Sequence, residues 1–109
     1  MATYLIIGGS SGIGRALVDQ LLSEGHDVSV WAREQRDLPA SVSFTTYDVI
    51  GETDPPKDAI PEGLDGLVYC PGSINLKSFR SLKPPAFREA FELNSVGAVR
   101  CLQAAARIL

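Results

Sequence analysis

Apolar positions along the chain follow two rhythms: short β-rich runs and longer stretches with helical spacing. Thr3 to Gly8 (TYLIIG) is apolar over most of its length, like a parallel strand buried on both faces. Ile13, Ala16, Leu17, Leu21 and Leu22 then recur near helical spacing, with Arg15, Asp19, Gln20 and Glu24 mostly opposite them. Gly25 follows where helices commonly end in a left-handed residue. Val28 to Ala32 (VSVWA), Val42 to Asp48 (VSFTTYD) and Leu64 to Cys70 (LDGLVYC, interrupted at Gly66) predict three further strands.

Between the third and fourth runs, GETDPPKDAIPEG carries prolines that exclude a long helix and leave a turn or one short helix. Pro71 to Lys83 is polar and irregular. Pro84 and Pro85 sit where proline is tolerated, in the first turn of a helix that the pattern carries to Leu109. On that helix Phe87, Phe91, Asn94, Ala98, Cys101 or Leu102, Ala105 and Leu109 fall on one face. Alternation of strand and helix predicts an α/β fold with a parallel sheet.

A chain of 109 residues is one domain. Its 45% hydrophobic content and net charge of −3 exclude disorder. No apolar run approaches the ~20 residues of a membrane span. No Lys/Arg cluster is present to serve a nucleic-acid surface, so neither a membrane nor a nucleic acid is expected as partner. Cys70 and Cys101 form no C-x-x-C pair, and the N-terminus lacks a basic leader. A reducing cytoplasm is the expected location. His26, the single histidine, reads as a solvated loop residue, and no ligand set for a metal is visible. The acidic stretch from Glu52 to Asp65 reads as solvated surface.

The segment Gly8-Gly9-Ser10-Ser11-Gly12-Ile13-Gly14 joins the first strand to the first helix. A helix N-terminus offers unpaired N–H groups and partial positive charge, which attract phosphate. Glycine permits the sharp turn and a close backbone approach. Ser10 and Ser11 add hydroxyl donors. The pattern G-x-G-x-x-G would need glycine where Ser10 and Ile13 stand, and a phosphate-binding P-loop would need Lys-Ser/Thr after its last glycine. The chain instead has G-x-x-x-G-x-G, with Gly8, Gly12 and Gly14. A glycine-rich turn without ligand is the plainer alternative.

IIGGSSGIGRAL resembles the cofactor loop of the short-chain dehydrogenases/reductases, whose pattern is T-G-x-x-x-G-x-G, with Ile7 here in place of the usual threonine. The resemblance runs over the whole chain. It implies an incomplete Rossmann-type doubly wound sheet of four strands in the order 3-2-1-4, and a nicotinamide cofactor held at Gly8, Ser10, Ser11, Gly12, Ile13 and Gly14. At the end of the second strand an acidic residue would bind the adenosine ribose hydroxyls, but here stands Arg33. Its planar cation suits a 2′-phosphate, which favours NADP(H) over NAD(H). The alternative is a solvated loop cation beside Glu34. The resemblance places Asp48 and Val49 on the adenine; Asp48 as a turn-initiating residue is the alternative.

The family's fourth strand usually ends N-N-A-G, where this chain has Tyr69-Cys70-Pro71-Gly72. The position and the glycine match, and the cofactor ribose is expected near Cys70, Pro71 and Gly72. Cys70 as a reactive thiol stands against an inert, buried strand-end cysteine. Phe91-Glu92-Leu93-Asn94-Ser95-Val96-Gly97 resembles the family's N-x-x-G stretch, whose asparagine supports a water-linked proton relay, so Asn94 is the catalytic position carried over. A structural asparagine bonded to a loop carbonyl is the alternative, and a buried one would need partners.

The family's catalytic Y-x-x-x-K is not found in the chain: Gly8, Gly51 and Ser73 stand four residues after Tyr4, Tyr47 and Tyr69. AAARIL carries no C-terminal cap. The expectation is the N-terminal part of a longer reductase of some alcohol/carbonyl pair, able to bind cofactor but inactive alone. Its fourth strand and long helix would expose apolar surface, predicting a homo-oligomer. Two further readings stay open: a dinucleotide-binding regulatory module, and a structural remnant without ligand.

Overall fold

Successive residues of the two central strands are buried on opposite faces of the sheet, and this sets the layering. In the computed structural model, which describes residues 1–50, 54–72 and 79–109, β1 (Thr3–Ile7) and β2 (Asp27–Ala32) form the middle of a parallel sheet. Leu5, Ile7 and Trp31 enter one core with Tyr47, Val49, Ile60, Leu64, Cys101 and Ala105. Ile6, Val28, Val30 and Ala32 enter the opposite core with Val18, Leu38 and Val42. A strand places successive side chains on opposite faces, so one apolar run supplies both cores. Complete burial of a side chain such as Leu5 or Ile6 contributes roughly 1.5–3 kcal/mol.

β3 (Ser43–Thr46) flanks β2 and β4 (Gly66–Tyr69) flanks β1, giving the order β3-β2-β1-β4 with every pair parallel. The expected order 3-2-1-4 is what the chain adopts. Parallel neighbours need crossover connections. The helix α1 (Gly12–Ser23) makes the first, covering the Ile6 face through Val18 and the half-buried Leu17, Leu21 and Leu22. Ile13, which the periodicity put on that face, is 85% exposed. It lies in the first turn, beyond the edge of the core, and Gly14 takes the inward position instead. Among the described residues of the third connection, whose prolines disfavour a longer helix, one 3₁₀ turn forms at Lys57–Ala59.

The other face is covered by the final helix, which is not one continuous α-helix. It comprises α2 (Pro84–Phe91), a π turn (Glu92–Val96) and α3 (Gly97–Ala105). The π turn offsets the α2 face from the α3 face, so the predicted row breaks. Gly97, Cys101 and Ala105 are buried, whereas Phe87, Phe91 and Leu102 are 48%, 64% and 49% exposed. Leu109 lies past the end of α3 and is also exposed. Asn94 is exposed too, not a buried amide on an apolar stripe.

His26 is not a free loop residue. Its Nδ1 accepts the Ala2 N–H at 3.0 Å and its ring meets Tyr4 edge-on, tying down the start of β1. Asp65 adds a second tie, accepting the Thr3 N–H at 2.8 Å.

Candidate functional site

All four strands are parallel, so their C-terminal ends rise on one side. Ile7 aligns with Trp31 and with Tyr69, and Ala32 with Thr46. Ladder bonds continue past the strands: Gly8 N–H to Trp31 O at 2.8 Å, Cys70 N–H to Ile7 O at 2.9 Å and Tyr47 N–H to Ala32 O at 2.9 Å. The helices that follow β1 and β4 in sequence pack on opposite faces of the sheet, with a crevice beside β1, the location where ligands bind in open α/β sheets. A cleft of about 530 Å³ lies there.

Residues from four loops line it. The first loop contributes Gly8, Ser10, Ser11, Gly12, Ile13 and Gly14; the second Arg33; the third Asp48 and Val49; the fourth Cys70, Pro71 and Gly72. The cofactor positions picked from sequence thus converge on one surface. Asn94 does not line the cleft but sits at its side, with Oδ1 3.0 Å from where a Cβ on Gly72 would lie. Sequence reasoning missed Trp31, Tyr47, Ile50, Arg36, Glu89 and Leu93, which also line it. The alternation along β2 could have signalled Trp31; no local pattern signals Glu89 or Leu93, which arrive from a remote helix.

The glycines of the first loop each answer a separate steric demand. Gly8 has a φ of 79°, and Pro71 packs where its Cβ would be. Gly12 has a φ of 58° with open space above it. A Cβ on Gly14 would fall on the Gly8 carbonyl. The N-terminus of α1 is consequently pressed against the end of β1. Ser11, the N-cap, makes no side-chain cap bond, and no acidic residue occupies the first turn. The positive end of the helix is left to an anion. A cradle walled by backbone, where side chains would intrude, suits a diphosphate.

Around this cradle the other groups have distinct states. Arg33 is exposed at the rim. Glu34 lies 3.9 Å from Arg36, not on Arg33, and Arg36 holds a left-handed φ of 53°. Arg15 turns away, bonding Asp19 at 3.0 Å and Asp37 at 2.7 Å; that guanidinium holds the Asp37 carboxyl below its usual range. Asp48 Oδ1 accepts the Ile50 N–H at 2.9 Å, so the turn role is present while the residue borders the cleft. Val49 is buried beneath it. Burial pushes the Cys70 thiol up, away from the reactive thiolate. Among the described residues, no cluster of His, Cys, Asp and Glu could hold a metal ion, and no helix is long and apolar enough to cross a membrane.

Fold and cleft define a Rossmann-type α/β protein. The profile of the NAD dependent epimerase/dehydratase family matches residues 4–107, and the chain belongs to that family, as a member resembling the short-chain dehydrogenases/reductases. A 3alpha-hydroxysteroid dehydrogenase of Mediterraneibacter gnavus is 26% identical over 96% of this chain and 49% of its own length. The short-chain dehydrogenase of Shigella flexneri has a TM-score of 0.85 at 18% identity, covering 99% of this chain and 50% of that one. That of Leptospira borgpetersenii, solved with bound NAD+, has a TM-score of 0.80 at 24% identity, covering 97% and 45%. The chain therefore spans about half the length of these proteins.

Proposed function

We propose that this chain is the cofactor-binding N-terminal part of an NADP(H)-dependent short-chain dehydrogenase/reductase that acts on an alcohol/carbonyl pair. The observation that carries this is the bare N-terminus of α1, walled by Gly8, Gly12 and Gly14 beside β1. A Cβ at Gly14 would fall on the Gly8 carbonyl, so glycine there is what lets the helix N-terminus sit this close to the end of β1. In this reading the loop amides with Ser10 and Ser11 hold the diphosphate. Arg33, with Arg36 on the same rim, takes the 2′-phosphate. Asp48 and the Val49 backbone hold the adenine, and Gly72 lets the ribose pass over the end of β4. A nicotinamide held by these residues would supply hydride-transfer chemistry to the substrate carbon. Asn94 holds a water at the side of the cleft for proton supply.

The half-length coverage of the relatives supports placing the remaining catalytic groups in further chain. The absence of Y-x-x-x-K from these residues leads us to expect binding without turnover. It equally favours a second reading, a non-catalytic dinucleotide-binding module. The two free thiols fit a reducing compartment. Exposed Phe91 and Leu102 fit self-association.

Trp31 is the single tryptophan and lines the cleft, so its fluorescence reads binding directly. NADPH should quench it and raise the melting temperature; ligand at 100 Kd stabilises by about 2.7 kcal/mol. No response to millimolar NADPH or NADH would end the cofactor reading. Turnover of carbonyl substrates by the full-length protein, once its coding sequence is read past residue 109, separates reductase from module.

A further inference from the structure

The final helix changes register at one place, and the cause lies on β4. Gly97 N–H donates to Glu92 O, five residues back. In an α-helix that N–H would serve Leu93 O. The Leu93 carbonyl, deprived of it, accepts the Tyr69 hydroxyl at 2.5 Å. Tyr69 is the last residue of β4, paired with Ile7, so the sheet fixes where its phenol reaches.

The helix side is shaped for that phenol. Gly97 is buried, and a Cβ there would fall on the Tyr69 hydroxyl and lie 3.1 Å from Val49 Cβ. Only glycine leaves room for the hydroxyl to reach the carbonyl. Burial keeps the phenol protonated, pushing its pKa up to about 12, so it stays a donor. The turn so formed contains Leu93, which lines the cleft, and Asn94, whose Oδ1 stands against Gly72. Single π turns inside α-helices are frequent at functional sites.

We propose that Tyr69 and Gly97 are positioning residues: the phenol captures the Leu93 carbonyl, holds the π turn, and so fixes Asn94 against Gly72 beside the cofactor cleft. The role given to Asn94 rests on the reductase reading above. The capture itself does not, because it is a property of the unliganded chain.

The test is nuclear magnetic resonance on the 109-residue chain without ligand, comparing wild type with Tyr69→Phe. The substitution removes one oxygen and keeps the ring. Scalar coupling across the hydrogen bond should connect Gly97 N to the Glu92 carbonyl carbon in the wild type. In Tyr69→Phe it should move to Leu93 as the turn relaxes to α register, and the Overhauser contact between the Asn94 side-chain amide and Gly72 should vanish. Gly97→Ala, which displaces the phenol, should give the same pattern; if that variant does not fold, Tyr69→Phe decides alone. Coupling that stays on Glu92 in Tyr69→Phe overturns the capture. Coupling that moves while the Asn94–Gly72 contact persists overturns the positioning role. A general loss of stability would move neither signal selectively. Failure of NADPH and NADH to bind wild type would sink the reductase reading and leave the couplings untouched.

Discussion

Gly14 lies against the carbonyl of Gly8, so near that a methyl group on Gly14 would occupy the carbonyl's own space. The two residues belong to different elements, the first turn of α1 and the exit of β1. Their contact joins helix and strand at one point. The obstacle is backbone, which cannot swing aside as a side chain does. Gly14→Ala should cost at least ~3 kcal/mol, the upper end of overpacking. That is a large share of a typical ~5–15 kcal/mol. Urea unfolding checks it; an unchanged midpoint would mean that helix and strand do not meet here.

Arg33 and its surroundings predict cofactor choice. Charge-assisted hydrogen bonds are worth about 1.5–3 kcal/mol. Arg33→Ala should therefore weaken NADPH binding by tenfold or more and leave NADH nearly unchanged. Trp31 quenching measures both. Tighter binding of NADH by wild type, indifferent to the substitution, would reverse the assignment.

Tyr69 makes the fold sensitive to alkali. Burial raises its pKa to about 12 in the folded chain, against about 10 unfolded. The folded state thus holds the proton more tightly. Its contribution is complete below pH ~10 and lost as pH rises through ~12, on the order of 2 kcal/mol in all. Tyr47 is shifted the same way by burial, so the readout is the difference between wild type and Tyr69→Phe. Unfolding free energies from pH 9 to 12 should fall more steeply for wild type, roughly 2 kcal/mol further across that window. Parallel curves would place the phenol in water.

The two thiols should differ in reactivity. Cys101 is fully buried and pushed up to about 11, whereas Cys70 is only half-buried. A disulfide reagent at neutral pH should label Cys70 first. Cys101 should wait for unfolding and follow the denaturant curve. Early labelling of Cys101 would show α3 detached from the sheet.

Phe87, Phe91, Val99 and Leu102 leave apolar surface in water on the final helix. Light scattering should show mass rising with concentration, and Phe91→Asp with Leu102→Asp should suppress it. A wild-type monomer at the highest concentrations would rule out self-association through this face.

Element type was readable where a period of two or of helical spacing ran unbroken. VSVWA had to be a strand because β-branched and aromatic residues fit a pleated, buried surface. The same alternation could have marked Trp31 as facing the Tyr47 side of the sheet. The glycine loop was readable because its main demands are local: Gly8 and Gly12 make left-handed turns and Gly14 meets the Gly8 carbonyl, all within seven residues. The final helix misled for the opposite reason. Its periodicity presumes one constant register, and the register change comes from a phenol on another element. Asn94 and the Phe87 and Phe91 row were accordingly placed on the core face.

By itself the sequence determined the order of strands and helices along the chain, the four parallel strands and the glycine-rich turn after β1, since all of these follow from short-range sterics and hydrophobic periodicity. Tertiary structure alone decided that Arg33, Asp48 and Gly72 share one cleft, that His26 anchors β1, and that Asn94 stands beside Gly72. Those facts depend on distances between residues far apart in the chain, which only sheet register and the packing of helix on strand can set.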